Sequence, residues 1–147
     1  MQGDGIMQIR TTDEMKTELT QTEDLKRFLD EHAESFSSRD FSRLLKEEIR
    51  KRRINKAELA RDSGMSEVYL HQLISGRRSP SRSRMICICI GLKLSLDETQ
   101  QFLFHAGMGE LYARDRSDAI LIYGIEHHMD LFTINDLLFD ANEKTLI

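Results

Sequence analysis

The chain has 147 residues, with 25 Asp and Glu against 21 Lys and Arg, giving a net charge of −4 at pH 7. This length suits one ordinary domain with a sizeable core, and a single proline among many Lys, Glu, Leu, Arg and Met residues favours helix. No apolar run is long enough to cross a bilayer, and the N-terminus lacks the apolar segment of a secretory signal, so we expect a cytoplasmic protein.

The acidic N-terminal segment, residues 1–38, predicts two short helices after about ten disordered residues. The first begins at Thr12, and Met15 and Leu19 are expected to face inward. The second is capped by Thr22 and covers residues 23–36. Its apolar positions recur at helical spacing, which predicts a buried stripe of Leu25, Phe28, Leu29, His32 and Phe36.

The next helix begins after a capping Asp40 and runs from Phe41 to about Arg53. Its apolar positions again recur every three or four residues, which predicts a second buried stripe. The members of that stripe are Phe41, Leu44, Leu45 and Ile49.

Residues 54–81, INKAELARDSGMSEVYLHQLISGRRSPS, predict two short helices joined by a tight turn. The first covers Lys56 to Asp62, and Gly64 supplies the positive φ that its end requires. Ser66 caps the second helix, which buries one stripe, leaves the other free and ends at Gly76. The buried positions are Leu70, Leu73 and Ile74. Two packed helices with one free face and adjacent cations suit the reading of a DNA major groove.

Four further helices are predicted after the motif, two of them before the C-terminal segment. Ser81 or Ser83 caps RMICICIGL, which is apolar on nearly every face and therefore belongs in the middle of the core. Its cysteines, Cys87 and Cys89, point to different sides of a helix, so we expect buried free thiols rather than a disulfide or a metal site. Asp97 opens the next helix, which Gly107 ends.

The C-terminal segment, residues 113–147, predicts two more helices. One runs from Arg116 to about His127 with Ile120, Leu121, Tyr123 and Ile125 apolar. Asp130 caps the other, whose apolar residues we expect to bury a dimer contact or to pack on the preceding core. Those residues are Phe132, Ile134, Leu137 and Leu138.

The motif residues resemble the helix-turn-helix of the phage Cro and repressor family, also called the XRE family. The resemblance covers roughly residues 39–103 and rests on Asn55-Lys56, Glu58-Leu59-Ala60, Gly64-Met65-Ser66, Gly76-Arg77 and Pro80-Ser81. It implies an all-α fold: a lambda-repressor-like five-helix core over 39–112, with an N-terminal helical extension, 1–38, and a two-helix C-terminal extension, 113–147. It also implies a bacterial or phage transcriptional regulator that binds double-stranded DNA sequence-specifically as a homodimer.

The distribution of charge agrees with a nucleic-acid partner. Residues 39–84 contain thirteen Lys and Arg against six Asp and Glu, whereas residues 1–38 contain four against nine and residues 85–147 four against ten. The centre of the chain is therefore basic and both flanks are acidic. The cations coincide with the helix-turn-helix motif, which favours a functional role over a merely solvated face.

The resemblance assigns two groups of DNA-binding residues. Phosphate contacts are expected from Asn55 and Lys56 at the start of the first motif helix, and from Arg77, Arg78 and Arg82 beyond the second. The second helix should expose its reading face, on which Ser66, Glu67, Val68, Tyr69 and Gln72 are the expected contacts, with His71 and Ser75 beside them. Gln72 is suited to adenine, because an amide binds N6 and N7 together.

A protein-interaction adaptor or antitoxin-like partner-binding protein is the alternative function. Glu67 repels phosphate, Tyr69 and His71 are bulky for a reading face, and the acidic flanks suit a protein partner. An enzyme is not expected, because no nucleophile motif or glycine-rich phosphate loop is present. No cofactor is expected either: His127 and His128 diverge on a helix and have no evident third ligand, so they are not a metal site.

Overall fold

The computed structural model describes residues 12–33 and 41–147, and every regular element in these ranges is an α-helix. The prediction of an all-α fold is confirmed. The chain divides into two compact units, residues 1–38 and residues 39–147. The expectations for the first ten residues, for the cap at Asp40 and for Phe36 lie outside the described residues.

The first unit contains α1 (Thr12–Gln21) and α2 (Leu25–Glu31). Asp24, not Thr22, caps α2: its Oδ1 accepts a hydrogen bond from the Arg27 N–H at 3.0 Å, since a cap must stand three residues before its donor. The predicted apolar stripe is confirmed at Phe28, which is buried, and in part at His32, which is half-buried and whose ring centroid lies 4.6 Å from that of Phe28. The stripe is wrong at Leu25 and Leu29, which are 58 % and 45 % exposed. On α1, where Met15 and Leu19 were expected to face inward, Met15 is half-buried and Leu19 is 47 % exposed.

The second unit begins with five helices in the predicted order. They are α3 (Phe41–Arg52), α4 (Lys56–Asp62), α5 (Glu67–Ser75), α6 (Arg82–Gly91) and α7 (Leu96–His105). The α3 stripe is confirmed, with Leu44 only partly buried. Ser81 caps α6, which settles the choice between Ser81 and Ser83. The expected start of α7 at Asp97 is wrong: Ser95 caps it, because Ser95 and Glu98 form a reciprocal capping box.

Helix α6 lies at the centre of the core. Every residue from Met85 to Gly91 is buried, and α4, α7 and a C-terminal helix pack around it. Cys87 and Cys89 are buried free thiols, as predicted. Burial raises the pKa of the Cys87 thiol to about 11 and that of Cys89 still further, so both side chains serve as small apolar core residues.

The last two helices, α8 (Arg116–Glu126) and α9 (Leu131–Asp140), join the same core. Helix α8 packs against α7 and α9, and α9 packs against α6. Leu131, Ile134 and Leu138 are fully or almost fully buried, whereas Phe132 stays 49 % exposed. Residues on both sides of the proposed boundary at 112/113 thus share one core. The C-terminal extension is part of the framework that holds the motif helices.

Candidate nucleic-acid interface

Helices α4 and α5 are joined by a four-residue turn with local signals at both ends. The side chain of Asn55 caps α4 by accepting from the Glu58 N–H at 3.0 Å. Gly64 follows the end of α4 with a φ of +66°, a conformation that costs glycine little. Ser66 then caps α5 by accepting from the Tyr69 N–H at 3.1 Å. The turn therefore has the geometry that the sequence predicted.

Helix α5 turns one stripe into the core and leaves a narrower free face than expected. Leu70 and Leu73 are fully buried and Ile74 nearly so. Four residues are exposed, namely Glu67, Val68, His71 and Ser75, with Val68 at 68 %. Tyr69 and Gln72 are half-buried rather than exposed. The side-chain amide of Gln72 makes no hydrogen bond to any described residue, so both its donor and its acceptor remain available to a base edge.

The loop after α5 brings two cations back to this helix. Gly76 ends α5 with a φ of +82°, and the Arg78 N–H donates to the Gln72 carbonyl at 3.3 Å. Arg77 and Arg78 are exposed, and within the described ranges neither guanidinium forms an ion pair. Both positive charges are therefore free to meet an external anion.

The ring of Tyr69 lies beside two guanidinium groups. The Cζ atoms of Arg78 and Arg84 are 5.7 and 5.8 Å from the ring centroid, within the range of cation–π contacts. Arg84 stands in the first turn of α6, where its N–H is capped by Ser81. Three elements thus place an aromatic ring and two cations together at one side of α5.

Arg82 has a structural partner that its sequence position did not indicate. Its Nη2 lies 3.0 Å from Asp118 Oδ2, and its Nε and Nη2 donate to the carbonyls of Gly109 and Glu110. The Asp118 carboxylate is nearly buried and also accepts from the Tyr112 N–H. Because the N–H groups of the Arg82 guanidinium already donate to these acceptors, the prediction that Arg82 contacts phosphate is not retained.

The N-terminal part of α3 lies next to the end of α5. The Ser42 hydroxyl donates to the Ile74 carbonyl, and the α3 face beside it forms a shallow groove. Three basic side chains line this groove, namely Arg43, Lys46 and Arg50, together with Glu47, whose carboxylate pairs with Arg50 at 3.6 Å. Sequence reasoning missed this neighbour of α5, because the approach of Ser42 to Ile74 spans 32 residues.

The start of α4 carries the remaining predicted phosphate contacts. Lys56 is exposed, while the Asn55 side-chain oxygen is committed to the helix cap. We therefore expect Asn55 to contact phosphate through its backbone N–H and its side-chain NH₂ group. In the described part of the chain, no group of three or more His, Cys, Asp or Glu side chains could hold a metal ion.

Residues 45–98, from the middle of α3 to the first turn of α7, match the helix-turn-helix family model. This segment is a helix-turn-helix domain of the Cro and repressor type. Domains of this family occur in DNA-binding transcription regulators, and generally lack enzymatic activity. No curated protein and no solved structure gives a match to the chain. No described helix is long and apolar enough to cross a membrane.

Proposed function

We propose that the protein is a transcriptional regulator that binds double-stranded DNA sequence-specifically, with α5 inserted into the major groove. The proposal rests on two features found together, namely the exposed face of α5 and the unpaired cations of Arg77 and Arg78 just after its end. Arg77 and Arg78 would bind phosphates, and the Gln72 amide, with Glu67 and Val68, would contact base edges. Lys56 and the start of α4 would bind the backbone on the other side of the groove.

The cations would supply most of the affinity and the α5 side chains most of the selectivity. Each phosphate neutralised by a cation releases counterions, so the affinity should fall steeply with salt. The test is a titration of labelled random duplex at several salt concentrations. The double variant Arg77→Ala/Arg78→Ala should bind more weakly and lower the slope of log K against log salt by up to about two. An unchanged slope in the folded double variant would remove these arginines from the interface.

We propose that the protein binds DNA as a homodimer through α9. Phe132 and Phe139 are seven residues apart on α9, so they share one face, and they are 49 % and 72 % exposed. Burying two such rings against a second copy would withdraw apolar surface from water. In sedimentation, Phe132→Ser/Phe139→Ser should convert a dimer into a folded monomer. The matched control is Phe104→Ser, which removes an equally exposed ring on α7. A dimer that survives the double substitution contradicts this interface.

A protein-interaction adaptor is the second candidate, because Val68 places an exposed apolar side chain next to the acidic Glu67 at the start of α5. The same titration separates the two functions. An adaptor would show no appreciable duplex binding even at low salt, where the electrostatic attraction between DNA and free cations is strongest.

A further inference from the structure

We infer that Tyr69 is a positioning residue that holds the guanidinium groups of Arg78 and Arg84 ready for DNA phosphate, and that Arg84 is a further phosphate contact. This inference rests on the proposed DNA-binding function and extends it to a residue outside the predicted set. The three side chains are called the Tyr69 cluster below.

The ring of Tyr69 is held by its own helix. Its N–H is bound by the Ser66 cap at 3.1 Å, and its half-buried side chain packs against the hydrophobic core. A half-buried ring next to a fixed backbone has few alternative rotamers. The ring therefore lies partly against the core at the edge of α5, on a backbone that the Ser66 cap fixes.

The two cations reach this ring from different elements. Arg78 belongs to the loop after α5, and its backbone is tied to Gln72. Arg84 belongs to α6, and its backbone is tied to Ser81. Both Cζ atoms lie less than 6 Å from the ring centroid, so one ring lies within cation–π distance of both guanidinium groups.

Neither guanidinium of the cluster is enclosed, since Arg78 is exposed and Arg84 is half-buried. Among the described residues, neither Arg78 nor Arg84 forms an ion pair, so no carboxylate neutralises this pair of charges. A cation–π contact uses the charge of a guanidinium and leaves its N–H donors free for bidentate binding of phosphate. A phosphate bound to either guanidinium would also reduce the repulsion between the two like charges.

A double-mutant cycle on the full chain tests the inference. Tyr69→Leu removes the aromatic face but keeps an apolar side chain against the core, and Tyr69→Phe is the matched control that keeps the face and removes the hydroxyl. Tyr69→Leu should weaken binding to a random duplex by about 5- to 20-fold, while Tyr69→Phe stays within about twofold of the wild type. Arg84→Ala should lower the salt slope by about 0.9, as expected for one phosphate.

The cycle is completed in an Arg78→Ala/Arg84→Ala background. There, Tyr69→Leu should cause no further loss, because the residues through which it acts are absent. An equal loss in both backgrounds would mean that Tyr69 acts through the fold or through its own DNA contact, and would overturn the positioning role. A loss with Tyr69→Phe equal to that with Tyr69→Leu would assign the effect to the hydroxyl and would also overturn it.

Two further measurements keep this inference separate from the proposed function. In the DNA-free protein, NMR signals of the Arg78 and Arg84 side chains should show ring-current shifts that Tyr69→Leu abolishes. If the wild type binds duplex and Arg77→Ala lowers its salt slope, but Arg84→Ala and Tyr69→Leu behave as the wild type, the cluster alone is refuted. If the folded wild type binds no duplex at any salt concentration, the proposed function fails and the phosphate role falls with it.

Discussion

Leu131 packs directly on Gly64: its Cδ2 lies 3.0 Å from where a Cβ on Gly64 would stand, and side-chain atoms of Ile147 lie 3.1 and 3.2 Å from the same point. The first residue of α9 and the end of the described chain therefore cover the turn between α4 and α5. Asn135 holds this end of the chain in place, since its Oδ1 accepts from the N–H groups of Leu146 and Ile147. Helix α9 and the residues after it thus pack against the turn between α4 and α5.

Truncation at Asp115 should leave the helix-turn-helix segment unfolded. It removes five core side chains, namely Leu121, Ile125, Leu131, Ile134 and Leu138. Burial of each contributes about 1.5–3 kcal/mol, so their loss is comparable to the whole stability of a domain. The matched deletion of residues 1–38 removes the other compact unit and should leave a cooperative melt by circular dichroism. A folded, melting chain that ends at Asp115 would refute the shared core.

Substitution of Gly124 tests the contact between α8 and α9. A Cβ at Gly124 would lie 2.4 Å from Cγ1 and 2.7 Å from Cδ1 of Ile134, and Ile134 is fully buried and has no room to withdraw. Gly124→Ala should therefore lower the free energy of unfolding by about 1–3 kcal/mol. Gly109→Ala is the control, because its added methyl would meet only Arg82 Nε, at 3.9 Å. Equal stability of both variants in urea titrations would show that these helices are less tightly packed.

Arg82 should matter for stability and not for phosphate binding. Arg82→Ala leaves the nearly buried Asp118 carboxylate without its cation, and should cost about 1–3 kcal/mol in the free energy of unfolding. The salt slope of duplex binding by the folded variant should stay at the wild-type value. Arg77→Ala is the opposite case, with unchanged stability and a slope lower by about 0.9. A lowered slope without loss of stability in Arg82→Ala would restore Arg82 to the interface.

The ionised Glu98 side chain should stabilise the folded state at neutral pH, and this contribution should be lost at acidic pH. The hydrogen bond from the Ser95 backbone N–H lowers the pKa of Glu98 below its ordinary 4.5, and Arg52, 2.6 Å away, lowers it further. A carboxyl whose pKa is lower in the folded state stabilises it above the unfolded pKa, and this contribution disappears as pH falls through the folded pKa. Because Glu98 is half-exposed, the effect is at most about 1 kcal/mol.

The measurement is a pair of thermal melts at pH 6 and pH 3 for the wild type and Glu98→Gln. The variant should melt at a lower temperature than the wild type at pH 6, and the gap should narrow at pH 3. Asp136→Asn, at an exposed position on α9, is the control and should show no such change. A gap that is the same at both pH values would exclude the charged form of Glu98 as its cause.

The features that sequence could predict are those set by neighbours along the chain. Ser66 lies three residues from the N–H that it caps, and Gly64 and Gly76 follow directly on the helices they end. The errors in helix caps arose where two cap-forming residues stand close together, as at Ser95 and Asp97, since either fits the local pattern. For such pairs only the folded backbone decides which oxygen meets a free N–H.

The features that sequence could not predict depend on contacts between distant residues. Arg82 was expected to bind DNA because of its place after the motif, but Asp118, 36 residues later, binds its guanidinium. The contact of Arg84 with Tyr69 was not predicted, because nothing in the sequence places Arg84 beside a ring fifteen positions earlier. The basic character of the centre was visible in the composition, whereas the partner of each cation was not.

Gln72 tests the central claim, that α5 reads DNA sequence, most directly. The preferred duplex is first selected from a random library by the wild type, and Gln72→Ala is then measured on that duplex and on random DNA at one salt concentration. The electrostatic attraction is common to both duplexes, so the difference between the two losses reports base recognition alone. If α5 reads DNA sequence, Gln72→Ala should lose about 1–3 kcal/mol of binding free energy on the preferred duplex and little on random DNA. Equal losses on both duplexes, or no loss on either, would contradict it.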